Sequence, residues 1–185
     1  MTRFVALSLL LVSSVAGARP RDGHRPRPQP VSMDRLRTLT AACESAMEGP
    51  DNERRCLDTV AASRNPTIEA SISTCESAME GDDNELACIQ LAASSRFDIN
   101  AAIGACESAM EGDGNELACV RTVSSFGLSL AAVNACEAAM EGDDNELRCM
   151  AAVAGSRYEA GELVRYCEEN EAGDDAELAC IARWR

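Results

Sequence analysis

The chain has 185 residues, ten cysteines, one histidine and a formal net charge of −14. That length holds one ordinary domain or an array of small units. The lone histidine, His24, sits among prolines and arginines, which excludes an imidazole-activated serine or cysteine triad. The acidic balance argues against a nucleic-acid partner, whose phosphates need compensating basic charge.

Residues 1–18 read as a secretory signal. Arg3 supplies the positive start, Phe4 to Val12 the apolar run, and Ala16, Gly17 and Ala18 a small-residue cleavage site. Cleavage after Ala18 makes Arg19 the first residue of a secreted or periplasmic chain. The apolar run is far short of the roughly 18 residues that span a bilayer, and no later segment is apolar enough to do so. Export to an oxidising compartment makes disulfides the expected fate of the cysteines.

Residues 19–32 form an Arg/Pro-rich arm with no apolar period, expected to be flexible and polyproline-like. Four arginines and one acid fall between residues 19 and 31, whereas residues 32 to 185 carry 12 arginines and 30 acids. A basic arm therefore precedes a very acidic body. Charge patterning alone is a weak signal, so a spacer is favoured over an electrostatic tether for this segment.

From residue 33 to residue 185 the cysteines fall as five pairs: Cys43/Cys56, Cys75/Cys88, Cys106/Cys119, Cys136/Cys149 and Cys167/Cys180. Every pair encloses twelve residues, and first cysteines recur every 30 to 32 residues. The cassette is clearest as Cys75-Glu-Ser-Ala-Met-Glu-Gly-Asp-Asp-Asn-Glu-Leu-Ala-Cys88. A period in this range marks stacked helical hairpins.

The first helix of each cassette carries a stripe, such as Ile68, Ile72, Cys75, Ala78 and Met79, or Ile99, Ala102, Ile103, Cys106, Ala109 and Met110. Gly49, Gly81, Gly112, Gly142 and Gly173 are expected to end it as left-handed caps. The second helix then starts at once, with Asp51, Asp83, Asp144 or Asp175 as N-cap and Pro50 just outside both helices. Leu86, Ile89 and Ala92, or Leu117, Val120 and Val123, form its buried stripe. Arg64, Arg96 and Arg157 are read as complementing the second-helix C-termini, and Asp98 or Ser129 as capping the next first helix.

The cysteines of one cassette stand about 7 to 9 Å from the turn on facing helices, at matching heights. A staggered ladder joining Cys56 to Cys75 and Cys88 to Cys106 would have variable intervals and would strand Cys43 and Cys180. The within-cassette pairing is therefore expected. Each bridge closes a short loop, contributing about 3 kcal/mol in the chain-entropy view.

These cassettes predict an all-α fold of five tandem disulfide-stapled hairpins. In architecture this resembles the tetratricopeptide-like α-solenoids and the cysteine-rich helical-repeat proteins that some bacteria secrete. Its period is shorter, and the tetratricopeptide aromatic positions are not matched. The resemblance implies protein binding through a curved surface and transfers no individual binding residue.

Other chemistry is weighed and set aside. Gly112-Asp113-Gly114 lacks the third glycine of a phosphate loop. The turns Glu80–Glu85 and Glu141–Glu146 offer oxygen ligands to calcium without the spacing of an EF-hand, and capping accounts for them more simply. Cys75 and Met79, one helical turn apart, suit copper(I), but helically spaced methionine is usually core. No metal ligand set, catalytic residue or cofactor is assigned.

Stacking places Glu48, Asp51, Glu80, Asp83, Glu111, Asp113, Glu141, Asp144 and Asp175 along one edge as an acidic ridge. The expected function is non-enzymatic binding of another macromolecule, with a basic protein as the partner such a field favours. The alternative is calcium binding by the acidic turns.

Overall fold

The computed structural model describes residues 32–185. The signal segment and all but the last residue of the arm lie outside the described residues. Ten helices occur among the described residues: α1 (Met33–Ala46), α2 (Pro50–Ala61), α3 (Ile68–Ala78), α4 (Asp82–Ser94), α5 (Asn100–Ala109), α6 (Asp113–Phe126), α7 (Leu130–Ala139), α8 (Asp143–Val153), α9 (Ala160–Asn170) and α10 (Asp174–Trp184). Ser32 opens the series, its hydroxyl accepting from the Arg35 N–H as an N-cap.

Each consecutive pair of helices is one hairpin, or unit, and one disulfide closes it. The bridges are Cys43–Cys56, Cys75–Cys88, Cys106–Cys119, Cys136–Cys149 and Cys167–Cys180. Their Cα–Cα separations run from 5.6 to 5.8 Å, inside the range a disulfide takes without moving the backbone. No cysteine is more than 2% exposed, so the bridges form the centre line of the core.

The predicted stripes face this line. Ile68, Ile72, Ile99, Ile103, Leu86, Ile89, Val120 and Val123 are all buried. Leu117 and Ala109 lie at the stripe's margin and are only half-buried against it. With 3% aromatic residues, the interior is filled by short aliphatic, Ala, Met and disulfide groups, which lets the helices approach closely.

First helices stack on first helices (α1, α3, α5, α7, α9) and second helices on second helices (α2, α4, α6, α8, α10), giving the two layers of an α-solenoid. Packing is most extensive between α7 and α9. A Cβ built on Gly161 of α9 would lie 2.9 Å from the Ala131 carbonyl oxygen, and only glycine avoids that collision.

The turn differs from expectation in which helix the glycine serves. Met79 closes α3 in extended conformation, its N–H donating to the Cys75 carbonyl. Gly81 follows at φ 84°, ψ 143°, and is the N-cap of α4 instead of a left-handed C-cap of α3. Its positive φ with extended ψ is a region that side chains avoid, and its carbonyl accepts from Asn84 and Glu85. Gly49, Gly112, Gly142 and Gly173 repeat this geometry.

Asp51, Asp83, Asp144 and Asp175 are consequently not N-caps. They sit at the second position of the second helices, exposed, where their charge still complements the helix dipole. Pro50 lies inside α2 as its first residue, where a missing N–H costs nothing. Arg64, Arg96 and Arg157 fall past the C-caps Ala62, Ser95 and Ala154, beyond the last turn that a dipole contact requires. Ser129 caps α7 as expected. Asp98 stands one place before the N-cap Ile99, and its carboxylate accepts from Asn100 N–H.

The opposite edge carries its own polar ties. Asn65, 1% exposed, donates to the Ala92 carbonyl, and Ser63 donates to Ala93, both at the C-terminal end of α4. These bonds satisfy carbonyls that the helix end leaves free.

Candidate functional site

The segment between the helices of each unit, Glu-Gly-Asp-Asp-Asn-Glu in units two and four and varied by one or two residues in the others, is the most distinctive surface of the solenoid. Its residues divide into three sets with different tasks.

The first set joins units. The aspartate directly after the glycine accepts from two donors on the preceding unit: the backbone N–H of the turn glutamate and the side-chain amide of the turn asparagine. Asp82 accepts from Glu48 N at 3.1 Å and from Asn52 Nδ2. Asp113 accepts from Glu80 N at 3.3 Å and from Asn84. Asp143 accepts from Glu111 N at 3.2 Å and from Asn115, and Asp174 from Glu141 N at 3.2 Å and from Asn145. Each asparagine also donates to the glutamate carbonyl of its own turn. One amide therefore holds its own turn and grips the next unit.

The outer units lack the half of this clasp that would face outward. Unit one has Pro50 where the others have the accepting aspartate, and unit five has Ala176 where the others have the donating asparagine. Reading these two departures as a pair identifies the clasp. The sequence pattern contained this signal, and the capping interpretation passed over it.

The second set is buried. Glu85, Glu116, Glu146 and Glu177 lie in the first turn of their helices and are 6 to 9% exposed, each with an Oε2 that has no hydrogen-bond partner. Burial is the first cause raising their pKa values. Nearby acids add to it: Asp82, Glu76 and Glu48 around Glu85, and Asp113, Glu107 and Glu80 around Glu116. Glu146 is pushed from 4.5 up to about 7 by burial and then by Asp143 and Glu137. Around Glu177 burial, Asp174 and Glu168 raise the value, and a hydrogen bond from Gly173 opposes them. Glu53, the equivalent residue of unit one, is only half-buried.

The third set is the exposed edge. Glu48, Asp51, Glu80, Asp83, Glu111, Glu141, Asp144 and Asp175 are all exposed along one side of the stack. Asp113 is a correction to the expected ridge: it is a half-buried clasp residue, equivalent to Asp82, and Gly114 occupies the ridge position of unit three. The ridge is thus reduced to Glu111 at its middle unit. Two of its acids pair across units with exposed arginines, Asp83 with Arg55 at 3.2 Å and Asp175 with Arg148 at 3.6 Å. Such exposed pairs contribute little stability. Between units three and four the edge sinks into an open depression lined by Glu111, Asn115, Glu141, Asp143, Asp144 and Arg148, among others.

Chemically this edge presents hydrogen-bond acceptors, the clasp carboxylates held by amide donors and the others open to solvent. Among the described residues no three His, Cys, Asp or Glu side chains converge so as to hold a metal ion. All ten cysteines are oxidised, which leaves no thiolate to form the copper(I) pairs with methionine. No helix among the described residues is long and apolar enough to cross a membrane. Comparisons with protein-family models, with curated proteins and with solved structures find no match to this chain.

Proposed function

We propose that this is an exported, non-enzymatic α-solenoid whose acidic turn edge binds a basic macromolecule, most simply a protein. The observation that carries the reading is the repetition of exposed carboxylates in register on one side of the stack, apart from those spent on the clasp. A line of like charges several units long steers a basic partner and discriminates against acidic ones. Five disulfides fit an oxidising compartment, and Arg19 should be the N-terminus found by sequencing the mature protein.

The test uses the immobilised mature chain, the extracellular fraction of its own source, and a variant in which Asp51, Asp83 and Asp144 are changed to asparagine. These positions leave the clasp untouched. The expected result is a partner retained by the unaltered chain, released as salt rises through about 0.1 M, where the Debye length is about 10 Å, and captured more slowly by the variant. Equal, salt-independent capture by both chains would remove the edge from the mechanism. Calorimetry with calcium separates the remaining reading: a micromolar stoichiometric signal with a marked rise in melting temperature would make the turns cation ligands.

A further inference from the structure

The outer side of unit five is built differently from its counterparts. The residue before the first cysteine is Ala42, Thr74, Ala105 and Ala135 in units one to four, but Tyr166 in unit five. The residue four places after the second cysteine is Val60, Ala92, Val123 and Val153, none more than 1% exposed, but in unit five it is Trp184, 44% exposed. Tyr158, in the turn before α9, is 56% exposed. Both tyrosines and the single tryptophan of the whole chain therefore gather at one end.

These three rings line a concavity of about 380 Å³, together with Leu163, Glu159 and Glu162. That volume lies in the range of small-molecule pockets, roughly 300 to 1,000 Å³. The rings of Tyr166 and Trp184 stand perpendicular with centroids 6.5 Å apart, forming a corner of two aromatic surfaces. Glu159 is fixed at the N-terminus of α9, its Oε2 accepting from the Glu162 N–H at 2.8 Å. Arg183 and Arg185 flank Trp184 in sequence but do not line the concavity. Nor is this end shaped to be clasped by another unit, because Ala176 lacks the amide that each earlier unit offers its successor.

Aromatic faces carry negative electrostatic potential, and two carboxylates beside them reinforce it. An ordinary ammonium is compact and strongly hydrated, so it would engage the exposed carboxylates through its N–H groups and water and gain little from the ring faces. A quaternary ammonium has no N–H to satisfy and spreads its charge over methyl groups, which suits a carbon-lined, negatively biased corner.

We propose that Tyr158, Tyr166 and Trp184 form a binding site for a quaternary ammonium group, with Glu159 and Glu162 supplying the opposing charge. Trp184, the only tryptophan, reports directly on the site. The experiment titrates the mature protein with choline chloride and with the uncharged analogue in which carbon replaces nitrogen, at matched ionic strength, following tryptophan fluorescence. Choline should give a saturable change, and the analogue should bind about two- to fivefold more weakly, as a cation–π contribution at half-exposed rings requires. Glu159→Gln with Glu162→Gln keeps the helix cap and should weaken choline alone.

Saturation-transfer NMR on the unaltered protein should place choline methyl groups against aromatic protons, which avoids dependence on any variant's folding. Cosedimentation with phosphatidylcholine vesicles then distinguishes a lipid headgroup from a free ligand. Equal binding of choline and its analogue, or no saturable response to choline, would overturn the proposal and leave an aromatic cover on the last unit.

Discussion

At the residue scale, the buried glutamates are the least expected feature, because a repeated acid in a helix's first turn reads as a favourable dipole contact. These side chains are buried in the stack, with Glu48 and Glu80 of the preceding units near Glu85 and Glu116, and that burial was invisible in a single cassette. A carboxyl whose native pKa is raised binds its proton more tightly folded than unfolded. Its contribution to stability is therefore fully present below the unfolded value of 4.5 and is lost as pH rises through about 7 for Glu146. The melting temperature should rise as pH is lowered from 8 toward 5. Glu146→Gln, which mimics the protonated acid, should raise the melting temperature at pH 8 and flatten the profile. Identical slopes for the variant and the unaltered protein would contradict the account.

Glycines offer a second residue-scale test. Gly161 faces the Ala131 carbonyl, so Gly161→Ala should destabilise by about 1 to 3 kcal/mol through overpacking. Gly104, in α5, has nothing within 4 Å of an added Cβ. Gly104→Ala should stabilise by about 0.5 to 1 kcal/mol, the ordinary difference between these residues in a helix. Denaturant titration of the two variants measures both signs.

At the scale of elements, helix existence and disulfide pairing were legible because two independent patterns agree. Ile68, Ile72, Cys75 and Met79 lie on one helical face, and the fixed interval from Cys75 to Cys88 matches two antiparallel helices joined by a tight turn. Peptide mapping under non-reducing conditions should recover five links between cysteines 13 positions apart. Replacing both Cys75 and Cys88 with serine should cost about 2 to 4 kcal/mol, and a variant as stable as the parent would show that the stack needs no covalent closure. Helix boundaries were less legible. Gly81 could end one helix or begin the next, and only its ψ of 143° decides for the second.

At the scale of the whole molecule, the solenoid is held by what one unit offers the next. Such arrays are stabilised by the sum of unit and nearest-neighbour terms. Here the neighbour term includes packing between like helices and, at each of four junctions, an aspartate gripped by a backbone N–H and an asparagine amide. A single cassette could not reveal this, because the bonding partners are about thirty residues apart and both residue types are also good turn formers. The exceptions at Pro50 and Ala176 were the legible trace. The division of acids between clasp and exposed edge then decides which carboxylates a partner can reach.

That division is tested most directly by a double-mutant cycle on unfolding free energy, using Asn84→Ala, Asp113→Ala and both together. The clasp predicts that each single change costs about 1 kcal/mol and that the double change costs little more than the larger single one, a coupling of about 1 kcal/mol. Strict additivity of the two changes would contradict it and return Asp113 to the exposed ridge.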